Sequence, residues 1–139
     1  MVAELISVGT ELLMGQILDT NSQYLSQELN AMGINVYYKS TVGDNPERMK
    51  QAFAQALSRS DVVITTGGLG PTEDDITKEM MAEQMGIPLV LHTPSLQVIE
   101  TFFHNIGQPM TENNRKQALL PGPADGIVME NPKGTAPGC

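Results

Sequence analysis

The run Asp61-Val62-Val63-Ile64-Thr65-Thr66, feeding straight into Gly67-Gly68, constrains this chain more than any other feature. A continuous β-branched stretch has no polar alternation with which to face water, so it is expected to be a strand covered on both faces, central in its sheet. Such a strand needs helices above and below it, and its flanks can supply them. Residues 3–8 read as a first short buried strand that stops at Gly9. Residues 19–32 open with a capping residue and set Tyr24 or Leu25, Leu29 and Met32 on one helical face, with Gly33 as the stop. Residues 34–42 are rich in β-branched and aromatic side chains and form a second strand, closed by Gly43-Asp44-Asn45-Pro46. From Pro46, suited to a first helical position, Met49, Phe53, Ala56 and Leu57 recur at helical steps up to Ser58. Beyond the glycines, residues 74–85 carry Ile76, Met80, Met81 and Met85 along one side and end at Gly86.

Strands alternating with helices through short turns imply βαβ units, hence an α/β fold with a mostly parallel sheet and helices on both faces. Further on, a short strand over 88–91, helices over 94–105 and 112–119, and a strand over 126–129 precede the turn-rich segment 131–138. At 139 residues, one domain with one core is expected. No apolar run approaches the ~20 residues of a membrane span, and the N-terminus lacks a signal-peptide pattern, so a cytoplasmic protein without membrane contact is expected. The single cysteine, Cys139, allows neither an internal disulfide nor a cysteine-rich metal site. A formal net charge of −8 with eight scattered Lys and Arg argues against nucleic-acid binding. It leaves open a small phosphorylated ligand, because backbone N–H groups and a divalent cation can provide local positive potential.

The order strand, glycine turn, helix start at residues 65–77 is where such a ligand is expected. Gly67, Gly68 and Gly70 let the backbone approach an anion, and the helix that follows would present free N–H groups beside Thr72. Ligands of open α/β sheets also bind at the carboxyl ends of strands. The turn is neither a P-loop, lacking Gly-Lys-Ser/Thr, nor a dinucleotide fingerprint, whose third glycine is replaced by Glu73. Alternatively the glycines only make a tight turn, with Thr72 and Asp75 as a capping pair. Asp74 and Asp75 either complement a helix dipole or, with Asp44 just past another strand, converge on a Mg²⁺-type cation bridging phosphate oxygens. A metal so placed could activate water against a pyrophosphate. Glu11, after the first strand, is a candidate metal ligand or positioning residue. Asp19 reads as a helix N-cap and Asn21 as a possible cleft residue. Lys133, Gly134 and Thr135 either touch a phosphate or are solvated. His92 and His104, without partner spacing, receive no role, and the nine methionines read as core filler.

Three blocks in order, Gly9-Thr10-Glu11-Leu12-Leu13-Met14-Gly15 with Asp19-Thr20-Asn21, Thr66-Gly67-Gly68-Leu69-Gly70-Pro71-Thr72-Glu73-Asp74-Asp75-Ile76-Thr77, and Asn131-Pro132-Lys133-Gly134-Thr135-Ala136-Pro137-Gly138, resemble the N-terminal domain of the competence/damage-inducible CinA family. That domain is related to molybdopterin-binding domains, and the resemblance covers essentially the whole chain. It implies a three-layer α/β/α fold, self-association into a homo-oligomer, and hydrolysis of ADP-ribose to AMP and ribose 5-phosphate with Mg²⁺, Mn²⁺ or Co²⁺. Asp44 and Asp75 match catalytic aspartates of related adenylyltransferases, and Thr77 and Glu79 also match. Members of that family usually continue into a C-terminal nicotinamide-nucleotide deamidase domain, whose residues this chain lacks, and their first domain normally continues past the position of Cys139, so a truncated first domain without deamidase activity is expected. The leading expectation is therefore a metal-dependent ADP-ribose pyrophosphatase with Asp44, Asp75 and Glu11 on the metal. The alternatives are a non-catalytic module binding a pterin or nucleotide, or an oligomerisation domain of a longer nicotinamide-nucleotide-recycling protein.

Overall fold

Strand β1, Val2–Val8, is the middle strand of a three-stranded parallel sheet of order β2-β1-β3, flanked by β2, Asn35–Val42, and β3, Val62–Thr66. The computed structural model describes residues 1–139, which form two compact units, Met1–Gly68 and Leu69–Cys139. The first unit holds this sheet. Its central strand is β1, where six of seven residues are buried, and not the β-branched run, whose five residues are all only partly buried at the sheet edge. A β-branched run marks strand propensity and apolar surroundings; it does not by itself fix position within a sheet.

Two helices cover the two faces of the sheet. Helix α2, Thr20–Ala31, lays Leu25 and Leu29 on Ala3 and Leu5 of β1, with Ile34, Val36, Val62 and Ile64 around them. Of the alternatives Tyr24 and Leu25, it is Leu25 that packs there, while Met32, expected on the same face, is exposed. Helix α3, Pro46–Arg59, starts at Asn45, whose side chain accepts from Arg48 N (3.0 Å), and has Pro46 in its first turn. It buries Met49, Phe53 and Ala56 completely. Its last residue, Arg59, reaches Glu4, which alternation along β1 turns to the face opposite Leu5. Helix, sheet and helix thus make the three layers of this unit. The fully buried Glu4 carboxylate accepts from Arg59 Nε (2.9 Å) and Nη2 (2.7 Å), and from Ser40 and Ser60 (both 3.3 Å). The Arg59 guanidinium also lies 3.7 Å from the centre of the Tyr38 ring. A short helix not expected from the sequence, α1, Thr10–Leu13, follows β1 directly.

In the second unit, α4 spans Thr77–Met85 and ends on Gly86 at φ 68°. It begins three residues later than expected, because Asp74 and Asp75 belong to a separate turn. Strand β4, Leu89–Leu91, pairs antiparallel with β5, Leu119–Pro121. Helix α5, Thr93–Asn105, packs Leu96 and Ile99 on Ala118, Phe103 and Met110. The helix expected over 112–119 is broken into α6, Glu112–Arg115, a 3-10 turn over Lys116–Ala118, and β5. The strand expected over 126–129 is reduced to one bridge between Met129 and Gly138. No helix is long and apolar enough to cross a membrane.

Candidate functional site

The chain leaves β1 to form β2 on one side and then crosses to β3 on the other. The carboxyl ends of β1 and β3 therefore flank the point where strand order reverses, which in open α/β sheets is the usual ligand position. A cleft of about 150 Å³ opens there, between Val8 and Thr66-Gly67 on the strand ends and Glu11, Asp19, Thr20 and Asn21 on the segments after β1. Gly67 has φ 91°, and a Cβ added to it would collide with the Val8 carbonyl oxygen. Only glycine lets the backbone leave β3 this close to β1. Asn21 donates from Nδ2 to Thr66 Oγ1 (3.0 Å), tying the start of α2 to the end of β3.

Asp19 is the N-cap of α2, as its position in the sequence suggests: it accepts from Ser22 N (3.0 Å) and also from the buried Ser7 Oγ (2.6 Å). Burial by itself would raise the Asp19 pKa. The bonds from Ser7 and Ser22, with help from the Lys39 charge, outweigh it and hold the carboxyl below its usual range. Glu11 folds back over Gly9, whose missing Cβ leaves that space open. Asp44 is engaged by one residue: its carboxylate accepts from Thr10 N (3.2 Å) and Thr10 Oγ1 (2.9 Å), while its own N–H donates to Thr10 Oγ1 (3.1 Å). This pair fastens the turn after β2 to the start of α1. Gly68, at φ 65°, ends the first unit.

In the second unit, the Asp75 carboxylate accepts from Thr72 N (3.0 Å) and Thr72 Oγ1 (2.6 Å), and Asp75 N donates to Thr72 O (3.2 Å). The bonds of a capping pair are present, but no helix starts on them; Ile76 precedes α4. Burial pushes the Asp75 pKa up, and the bonds from Thr72 and the Gly70 backbone, with the Lys116 charge, bring it below the ordinary value. The same carboxylate fills the space a Cβ on Gly70 would need, 2.6 Å from Oδ2. Gly70 therefore serves this internal turn. Asp74 is exposed. Lys116 Nζ donates to Thr72 O (2.6 Å) and the partly buried Lys78 Nζ to Lys116 O (2.8 Å). Burial lowers the Lys78 pKa. Gly134 and Thr135 border a second cavity, of about 160 Å³, beside the start of α5. There the His92 ring, given no role from sequence, caps the helix by accepting from Ser95 N (3.3 Å).

Neither unit by itself gathers three or more His, Cys, Asp or Glu side chains able to hold a metal ion. Asp44 and Asp75 each accept from a threonine through one carboxylate oxygen, Oδ2. Residues missed by sequence reasoning are Thr10, Lys116 and Gln117, side chains whose partners lie far away along the chain; the Thr10 hydroxyl beside a strand-ending Gly9 is the nearest thing to a local signal.

A family model described as "Probable molybdopterin binding domain" matches residues 4–138. The chain is 59% identical over 139 residues to a competence-damage inducible protein of Acetivibrio thermocellus, covering all of this chain and 33% of that protein. It is 55% identical to a CinA-like protein of Kosmotoga olearia, again covering 33% of the relative. The chain thus spans about a third of the length of these relatives. The crystal structure of the protein CinA from Thermoplasma acidophilum superposes with a TM-score of 0.85 at 36% identity, covering 98% of this chain and 78% of that one. MoaB of Thermus thermophilus, at 24% identity and a TM-score of 0.56 over 59% of this chain, shares the fold. These findings overturn the leading functional expectation: the family model describes a binding domain, and none of the matches is described as an ADP-ribose pyrophosphatase. By its sequence over its whole length and by its fold, the chain belongs to the CinA family and to the molybdopterin-binding-like domains.

Proposed function

We propose that this chain is a non-catalytic binding module for a small ligand built from a nitrogen heterocycle and a phosphate, a pterin or an adenine nucleotide. The observation that carries this reading is the cleft at the carboxyl ends of β1 and β3, where Gly67 brings the backbone against β1 and Glu11, Asp19 and Asn21 complete the rim. Pockets for whole drug-sized ligands span roughly 300–1,000 Å³, so a cleft of about 150 Å³ seats one group of the ligand. Its rim is acidic. Asp19, held ionised by Ser7 and Ser22, and Glu11 repel a bare phosphate and attract N–H donors. The amino and ring N–H edge of a pterin, or the amino group of adenine, satisfies that requirement. The description of the family as molybdopterin-binding supports the pterin form.

Calorimetric titration with molybdopterin and, separately, with AMP tests the proposal, followed by chromatography of the recovered ligand. Saturable binding with intact ligand is expected. Conversion of the ligand, or no heat with either compound, would refute it.

A further inference from the structure

Gln117 is buried at 4% exposure, yet neither end of its amide is idle. Nε2 donates to Leu69 O at 3.4 Å, a long bond, while Oε1 accepts from Thr135 Oγ1 at 3.1 Å. A carbonyl can only accept, so Leu69 O sets which end of the amide carries nitrogen, and the oxygen must then face the Thr135 hydroxyl. One residue earlier in the same 3-10 turn, Lys116 Nζ donates to Thr72 O at 2.6 Å. The segment Leu69–Thr72 is therefore held at both ends by neighbouring side chains, and the Thr72–Asp75 bonds close it behind. The loop 131–138 reaches this assembly through Thr135; within itself it is held by Asn131, which donates to Ala136 O (3.0 Å).

We propose that Lys116 and Gln117 are positioning residues: together they hold the Leu69–Thr72 part of the glycine-rich turn in shape and couple the loop 131–138 to it, so that the two loops order or loosen as one. Any consequence for affinity rests on the binding reading above; the coupling itself does not. A buried amide that serves two separate chain segments transmits a disturbance of one to the other, because loss of either partner leaves a buried polar group unsatisfied.

Amide hydrogen exchange on the whole chain without ligand, read by mass spectrometry, decides the matter. Gln117→Leu keeps the volume and removes both bonds, and should speed exchange about fivefold in both 69–75 and 131–138, the factor equivalent to ~1 kcal/mol for one net hydrogen bond. Thr135→Val removes only the contact from loop 131–138, and the coupling predicts faster exchange in 69–75 as well as in 131–138. Lys116→Met, which removes only the contact to Thr72 O, should likewise loosen both loops, and Lys116→Arg should restore them. Should Gln117→Leu fail to fold, the Thr135 and Lys116 variants carry the same test. A rise confined to 131–138 in Thr135→Val, or a uniform rise throughout 69–139, would overturn the proposal. AMP titration of the same variants separates the two claims. Absence of binding by the unaltered chain removes the binding reading and leaves the exchange result standing.

Discussion

Replacing Gly67 by alanine tests the close approach of β3 to β1, and Gly33 provides a matched control. Both glycines lie in the first unit with positive φ, 91° and 76° respectively. Forcing an L-residue into the left-handed region costs roughly 1–2 kcal/mol, and the stiffer unfolded chain returns about 0.4–1 kcal/mol. Those two contributions are common to both sites. What differs is space: a Cβ at Gly33 meets nothing within 4 Å, whereas at Gly67 it strikes the Val8 carbonyl. That carbonyl cannot retreat, because Val8 is 2% exposed and sits in register with Val42, and the next residue donates from Gly9 N to Val42 O at 2.9 Å. Overpacking of this kind costs about 1–3 kcal/mol. Gly67→Ala should therefore be less stable than Gly33→Ala by that amount. With m near ~2 kcal/mol/M, the urea midpoints should be separated by about 0.5–1.5 M. Far-ultraviolet circular dichroism provides the readout. Coincident midpoints would show that Gly67 is required for its φ alone, and the account of the cleft wall would be wrong.

Asp19→Ala should lower stability by roughly 2–4 kcal/mol, combining a lost N-cap with the stranding of the buried Ser7 hydroxyl; Asp19→Asn, which can still cap, should cost clearly less in the same urea titration. The Glu4 pKa lies below the ordinary glutamate value of 4.5, first because of the Arg59 hydrogen bond, against the opposing effect of burial. Its contribution is thus fully present above pH 4.5 and is lost as the pH falls through the lower folded value. Arg59→Met should reverse the slope: a buried carboxyl without its partner favours the protonated form, so that variant should gain relative stability on acidification. Parallel pH profiles for the two proteins would disprove this role for Arg59.

Local signals in the sequence were read correctly at several helix ends that neighbouring residues settle. Asp19 before Thr20 and Asn45 before Pro46 announce helix starts, and Gly86 announces a stop, because caps act over one turn. Errors arose where a distant partner decides. The run Val62–Thr66 shows the composition of a covered strand, but β1 takes the middle position because both neighbours pair with it. Asp75 is a local exception: its bonds with Thr72, three residues back, were among the sequence alternatives, but no helix starts on them and α4 begins only at Thr77. Leu119, expected to end the helix over 112–119, is instead drawn into β5 by antiparallel pairing of Leu119 and Leu120 with Leu91 and Val90. The candidate site was legible in part: Gly67, Asn21 and Glu11 do share one cleft. Asp44 and Asp75 suggest metal ligands by type and position, and only the hydrogen bonds from Thr10 and Thr72 reveal the local tasks they perform.

The cleft itself is best tested by following backbone amide resonances while molybdopterin, or AMP, is titrated into the labelled protein. Saturable shifts concentrated at residues 8–11, 19–21 and 66–67, and absent in Gly67→Ala, are the predicted result. Shifts confined to the second cavity around His92, Gly134 and Thr135, or none with either compound, would contradict it.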